Sequence, residues 1–117
     1  MDVPTVVNIR HCHLQSLGYS HLADWLARSD QHVYIGRNRQ RYVAVANNAE
    51  RSKWENPFPL FKHTRVDSLQ RFEQHARQKL MDDLHELSGK VLGCWCHPDH
   101  CHGDILVKLY KERYIRR

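Results

Sequence analysis

The chain has 117 residues, 41% of them apolar and 26% charged, with Lys and Arg exceeding Asp and Glu by 18 to 13. That length suits one domain, 1–117, and is too short for two independent cores, while the composition is too apolar for a disordered chain. No apolar run approaches the roughly 20 residues of a membrane span. Met1-Asp-Val-Pro-Thr5 lacks the basic flank and apolar run of a signal peptide. The expected setting is therefore the cytoplasm, or a host cell's cytoplasm for a viral protein, without secretion or a membrane partner.

Thr5-Val-Val-Asn-Ile9 is a short β-branched run after Pro4 and predicts a strand. Leu14, Leu17, Leu22, Trp25 and Leu26 recur at helical spacing as far as Arg28, with Gly18 weakening or splitting that helix. Val33-Tyr-Ile-Gly36 predicts a second strand. Arg41 to Ala46 alternates enough for a third strand or a hairpin arm, with Asn38 in the turn. From Asn47 to Thr64 the chain is irregular, a surface loop pinned by Trp54, Phe58 and Phe61.

Leu69, Phe72, Ala76, Leu80, Leu84 and Leu87 step by three or four and predict one amphipathic helix. Asp67 and Gln70 are placed for a capping box, and Gly89 for a left-handed close. Lys90 to Trp95 predicts the last strand and Asp104 to about Tyr114 the last helix, whose inner face carries Ile105, Leu106, Leu109 and Tyr110. Alternating strands and helices give a single α/β domain: a small three-layer, Rossmann-like fold with a mostly parallel sheet of three to four strands and flanking helices.

Chemistry concentrates between that strand and helix. Three of the four cysteines, Cys94, Cys96 and Cys101, lie within eight residues beside His97, His100 and His102, with Cys12 apart. Clustering of this kind indicates a site, whereas a disulfide framework spreads its cysteines along the chain. One reading is zinc held by Cys94, Cys96, Cys101 and His102, with His97 and His100 as substitutes. Strand geometry weighs against it: Cys94 and Cys96 on one strand lie about 6 to 7 Å apart, whereas two zinc thiolates sit under about 4 Å apart.

The other reading is a reactive thiol at Cys101, lowered by the helix start and by the neighbouring histidines. The plain alternative makes Cys94 and Cys96 small buried hydrophobes. Amides around His102 to Asp104, with Gly103 allowing close approach, favour an anion such as phosphate. Two basic groups, Arg37, Arg39 and Arg41, and Lys108, Lys111, Arg113, Arg116 and Arg117, read equally as a nucleic-acid footprint or a solvated surface.

Val6-Val-Asn8, Val33-Tyr-Ile-Gly-Arg37, Ser52-Lys-Trp-Glu-Asn-Pro-Phe58, and Gly89-Lys-Val-Leu-Gly-Cys-Trp-Cys-His-Pro98 with Cys101-His-Gly-Asp104 occur in a recognisable order. Together they resemble the domain of unknown function 4326 family, small α/β proteins of phages, viruses and bacteria, from about Thr5 to Leu109. The resemblance implies an α/β domain and no established reaction. Arg37, Ser52, Lys53, Trp54, Asn56, Pro57, Cys94, Cys96, Cys101, His102 and Asp104 occupy its motif positions. Glu55 stands where the family usually has Gly, and the link from Arg39 to Glu50 is longer than usual.

The leading expectation is a nucleotide- or nucleic-acid-directed enzyme that binds an anionic ligand. Arg37, Ser52, Lys53, Trp54, Asn56 and Gly103 would hold the ligand, and Cys101, His102 and Asp104 would supply the chemistry. Trp54 and Trp95 read either as stacking surfaces or as core-filling rings. No cofactor is firmly implied, zinc being the alternative noted above. One rival is a non-catalytic module, zinc-stabilised or basic, that binds nucleic acid or ribonucleoprotein. Another is a homo-oligomer or a structural subunit of a viral or other large assembly.

Overall fold

In the computed structural model, residues 2–36, 53–58, 62–95 and 101–115 are described. Three short strands, β1 (Thr5–Asn8), β2 (His32–Tyr34) and β3 (Val91–Cys94), form one parallel sheet in the order β1-β3-β2 among these residues. In register, Asn8 faces Cys94, and Tyr34 faces Gly93. The ladder continues past the strand ends through Ile9 N–H to Cys94 O (3.1 Å) and Ile35 N–H to Gly93 O (3.1 Å). The α/β class is as expected from the sequence, and the sheet has three strands in the described part. The strand expected at Arg41 to Ala46 lies outside the described residues.

Alternation along the strands separates two cores. Val6, Val33, Ile35, Leu92 and Cys94 face one side; Val7, Ile9, Tyr34, Val91 and Trp95 face the other. Gly93 is the residue that lets the second side close. A Cβ there would sit 2.7 Å from Ile9 Cγ2 and 2.8 Å from Trp25 Cη2.

The second face is covered by α1 (His11–Ser16) and α2 (Leu22–Arg28) through Leu14, Leu22 and Trp25. One helical pattern becomes two helices because Gly18 takes φ +97° and turns the chain, with Tyr19 N–H returning to Leu14 O (2.9 Å). Trp25 stacks on His32 of β2 at 4.2 Å, and the His32 Nδ1 lies 2.6 Å from Trp25 O.

The first face is covered by α3 (Arg65–Lys79), a 3-10 segment (Met81–Leu87) and α4 (His102–Tyr114). The structure corrects the single helix expected over this leucine stripe. The α-helix begins earlier, at Arg65, capped by Thr64, whose hydroxyl accepts from Asp67 N–H (3.0 Å), and Asp67 with Gln70 does not form the box. It ends at Lys79, after which Met81, Leu84 and Leu87 recur every third residue. A three-residue turn stacks such side chains on one side, and Leu84 and Leu87 are fully buried there. Gly89, at φ +72°, then leads the chain into β3.

Glu73 of α3 accepts from Lys108 of α4 (3.0 Å) and from Arg77 (2.9 Å), and Arg77 also reaches Glu112 of α4 (2.8 Å). These ion pairs join the two outer helices above a core of Phe72, Ala76, Leu106, Leu109 and Tyr110. No described helix is long and apolar enough to cross a membrane.

Candidate ligand site at the sheet edge

The connections leaving β1 and β3 go to opposite faces. After β1 the chain enters α1 and α2; after β3 it reaches α4 on the other side. β1 and β3 are neighbours, so the connections leave adjacent carboxyl ends for opposite faces, and such a switch in an open parallel sheet is where ligands bind.

On the α4 side of this edge stands Cys101, the N-cap of α4. Its sulfur accepts from Gly103 N–H (3.3 Å), while Asp104 Oδ2 accepts from Cys101 N–H (3.2 Å), a reciprocal capping box. The helix therefore starts at His102, two residues before the expected Asp104. The Cys101 sulfur also lies 2.9 Å from that of Cys94, the last residue of β3. Both are free thiols, 2% and 1% exposed. The hydrogen bond from Cys94, and then the amides of Gly103 and Asp104, hold the Cys101 thiol below its ordinary range, against burial and the Asp104 charge.

His102 is buried, and its Nε2 lies 2.7 Å from Ile35 O at the end of β2. A carbonyl only accepts, so Nε2 carries the proton, and a neutral ring holds its lone pair on Nδ1. The Phe72 ring meets the imidazole edge-on at 5.0 Å. A Cβ on Gly103 would lie 2.9 Å from Ile35 Cδ1 and 3.1 Å from Val6 Cγ2. The close approach that this glycine permits is thus between α4 and the sheet.

On the other side of the edge, Arg10 extends from the end of β1. Its Nε donates to Trp95 O (3.0 Å), and its backbone N–H donates to Asn8 Oδ1 (2.8 Å). Trp95 Nε1 donates to Tyr34 OH (2.9 Å), and the two rings meet edge-on. Arg10 thus bridges the ends of β1 and β3, exposed and with no carboxylate partner among the described residues. Sequence reading missed it because its signal is topological: nothing in the local sequence tells that β1 and β3 are neighbours.

The other expected residues are dispersed. Lys53 Nζ lies 2.8 Å from Glu86 and 3.4 Å from Asp83, both on the 3-10 segment, and these acids, Glu86 first, hold it above the usual lysine range. Trp54 is 5% exposed and belongs to the first core, with Lys53 Nζ 5.3 Å from its ring centre. Asn56 donates to Ser68 Oγ (2.8 Å) and accepts from Phe58 N–H (2.9 Å), while Ser68 donates to Phe58 O (2.6 Å). These bonds pin the 53–58 loop to α3. Arg37, Ser52 and Cys96, with His97 and His100, lie outside the described residues.

Among the described residues, no group of three or more His, Cys, Asp and Glu side chains is arranged to hold a metal ion. The basic residues of α4 are partly spent internally: Lys108 on Glu73, and Arg113 on Asp82 at 3.8 Å.

The 33% identity to the uncharacterized protein R718 of Acanthamoeba polyphaga mimivirus runs over 94 residues, 70% of this chain and 70% of that one. No solved structure matches the chain. The profile of the family described as Domain of unknown function (DUF4326) matches residues 20–112, a span that takes in β2, α3, β3 and the Cys101-His-Gly-Asp104 helix start. On both findings the chain belongs to the DUF4326 family.

Proposed function

We propose that the crevice between the carboxyl ends of β1 and β3 binds a phosphate-bearing ligand of the nucleotide class. The observation that carries this reading is the switch itself, which sets Arg10 on one lip and Cys101 with His102 on the other. Arg10 is the cation for the phosphate, its Nε anchored on Trp95 O so that the remaining guanidinium N–H groups face outward as a fork. The N-terminal amides of α4 contribute less than the sequence suggests, because the Cys101 sulfur and the Asp104 carboxylate already occupy them. Trp95, half-buried at the edge, is the ring surface for a base or sugar, a role that the core-bound Trp54 does not fill.

Cys101 caps the α4 start beneath that lip, buried against Cys94. His102 fixes the helix start against β2 through Nε2 and Ile35 O.

The test is calorimetric titration of the full chain with AMP, ATP, inorganic phosphate and a short single-stranded oligonucleotide. A hydrogen bond to a charged group is worth about 1.5–3 kcal/mol, so Arg10→Ala is expected to weaken nucleotide binding about tenfold or more. Equal affinity in wild type and Arg10→Ala would contradict the assignment.

A further inference from the structure

We propose that Cys94 and Cys101 form a reversible dithiol–disulfide couple for which hydroperoxides are the oxidants. The proposal does not depend on the ligand reading above. It rests on a juxtaposition: two free cysteines, one ending the central strand and one capping the following helix, hold their sulfurs 2.9 Å apart inside the first core. A covalent S–S bond is about 2.05 Å long, so bond formation requires the sulfurs to close by less than an ångström.

Chain placement makes this approach a fixed one. Cys94 is held by pairing with Asn8 across the sheet, and Cys101 by its capping box with Asp104. Neither sulfur needs a new backbone path to reach the other.

The two thiols also differ in the way such a couple requires. Cys101 accepts from the Gly103 amide at 3.3 Å, a contact that favours its thiolate. Cys101 is therefore the attacking sulfur and Cys94 the resolving one. The Cys101 thiolate attacks one oxygen of hydrogen peroxide; the O–O bond breaks, and the departing hydroxide takes up a proton as the first water. The resulting sulfenic acid is attacked by the Cys94 sulfur. An S–S bond forms, the S–O bond breaks, and hydroxide leaves with the Cys94 proton as the second water. Two thiols lose two electrons, and one peroxide becomes two waters. A small thiol reverses the reaction by exchange.

Burial selects the oxidant. With Cys94 and Cys101 1% and 2% exposed as residues, hydrogen peroxide, little larger than water, reaches their sulfurs far more readily than a bulky disulfide does. Oxidation removes the Cys101 thiolate from the α4 start, so the couple would set whether that thiolate is present at the sheet edge.

The test treats the full chain with hydrogen peroxide, blocks remaining thiols with N-ethylmaleimide and digests with trypsin. The peptide from Val91 to Lys108 carries Cys94, Cys96 and Cys101. The expected product has lost about 2 Da as one internal disulfide, carries its one maleimide on Cys96, and returns to three maleimides after reduction. Cys96→Ser keeps the loss and Cys94→Ser abolishes it. Three maleimides after peroxide, or a disulfide that maps to Cys96, would overturn the proposal. So would protection of both thiols by one zinc per chain retained through purification, detected by elemental analysis. Calorimetry on the reduced protein reads the ligand assignment separately, so either proposal can fail alone.

Discussion

Cys101 occupies a helix position that Ser, Thr, Asp or Asn commonly fills, and its sulfur does their work by accepting from a first-turn amide. Clustering of cysteine with histidine marked the segment in the sequence, and proximity to a helix start marked this thiol. The identity of its partner was not legible. Cys94 read equally well as a small buried hydrophobe, and only the path of the chain from β3 to α4 brings the sulfurs together. Because Cys94 is the first cause of the lowered Cys101 thiol, Cys94→Ala should move that titration upward. Ultraviolet thiolate absorbance followed against pH, in a Cys12→Ser, Cys96→Ser background, checks this. Wild-type Cys101 is expected to ionise below the ordinary thiol range, and the Cys94→Ala protein at higher pH than wild type. Coincident curves would show that Cys94 does not support the thiolate.

At the scale of elements, periodicity located β1, β2, β3, α3 and α4, and it erred where two periods overlap. Leu80, Leu84 and Leu87 fit a four-then-three step of an α-helix, while Met81, Leu84 and Leu87 fit a three-residue turn. The three leucines are all buried in one core and Met81 packs against it, so burial does not separate the two patterns, and the chain takes the three-residue turn. Gly103 taught a similar lesson. In the sequence it read as room for a ligand, but Val6 and Ile35, distant in the chain, fill that room.

The pairing of α3 with α4 carries a prediction of its own. Lys108, and then Arg77, hold Glu73 below the ordinary glutamate range. A carboxyl lowered on folding stabilises the folded state above its unfolded pKa, about 4.3, and loses that contribution as pH falls through the folded value. Glu73→Gln should therefore cost about 1 kcal/mol at neutral pH, as for a partly exposed ion-pair network. The gap between wild type and variant should close in strong acid. Urea unfolding at pH 7 and near pH 3 measures it; an equal gap at both values would mean that the pairs contribute nothing.

For the whole molecule, strand order matters more than any motif. The order β1-β3-β2 makes β3 central and sets the end of β1 beside it, so Arg10 and Cys101 flank one edge although ninety residues of chain separate them. The expected gathering of Lys53 and Asn56 around Cys101 depended on the 53–58 loop reaching that edge. Their polar groups instead engage α3 and the 3-10 segment, where two acids and Ser68 offer local partners. The proposed ligand site is the sheet edge between β1 and β3. Backbone amide NMR shifts during titration with ATP test it most directly. Shifts are expected to concentrate at Asn8 to Arg10, Ile35, Cys94, Trp95 and Cys101 to Asp104. Shifts confined to the outer face of α4 around Lys108 and Lys111, or no shifts at all, would contradict it.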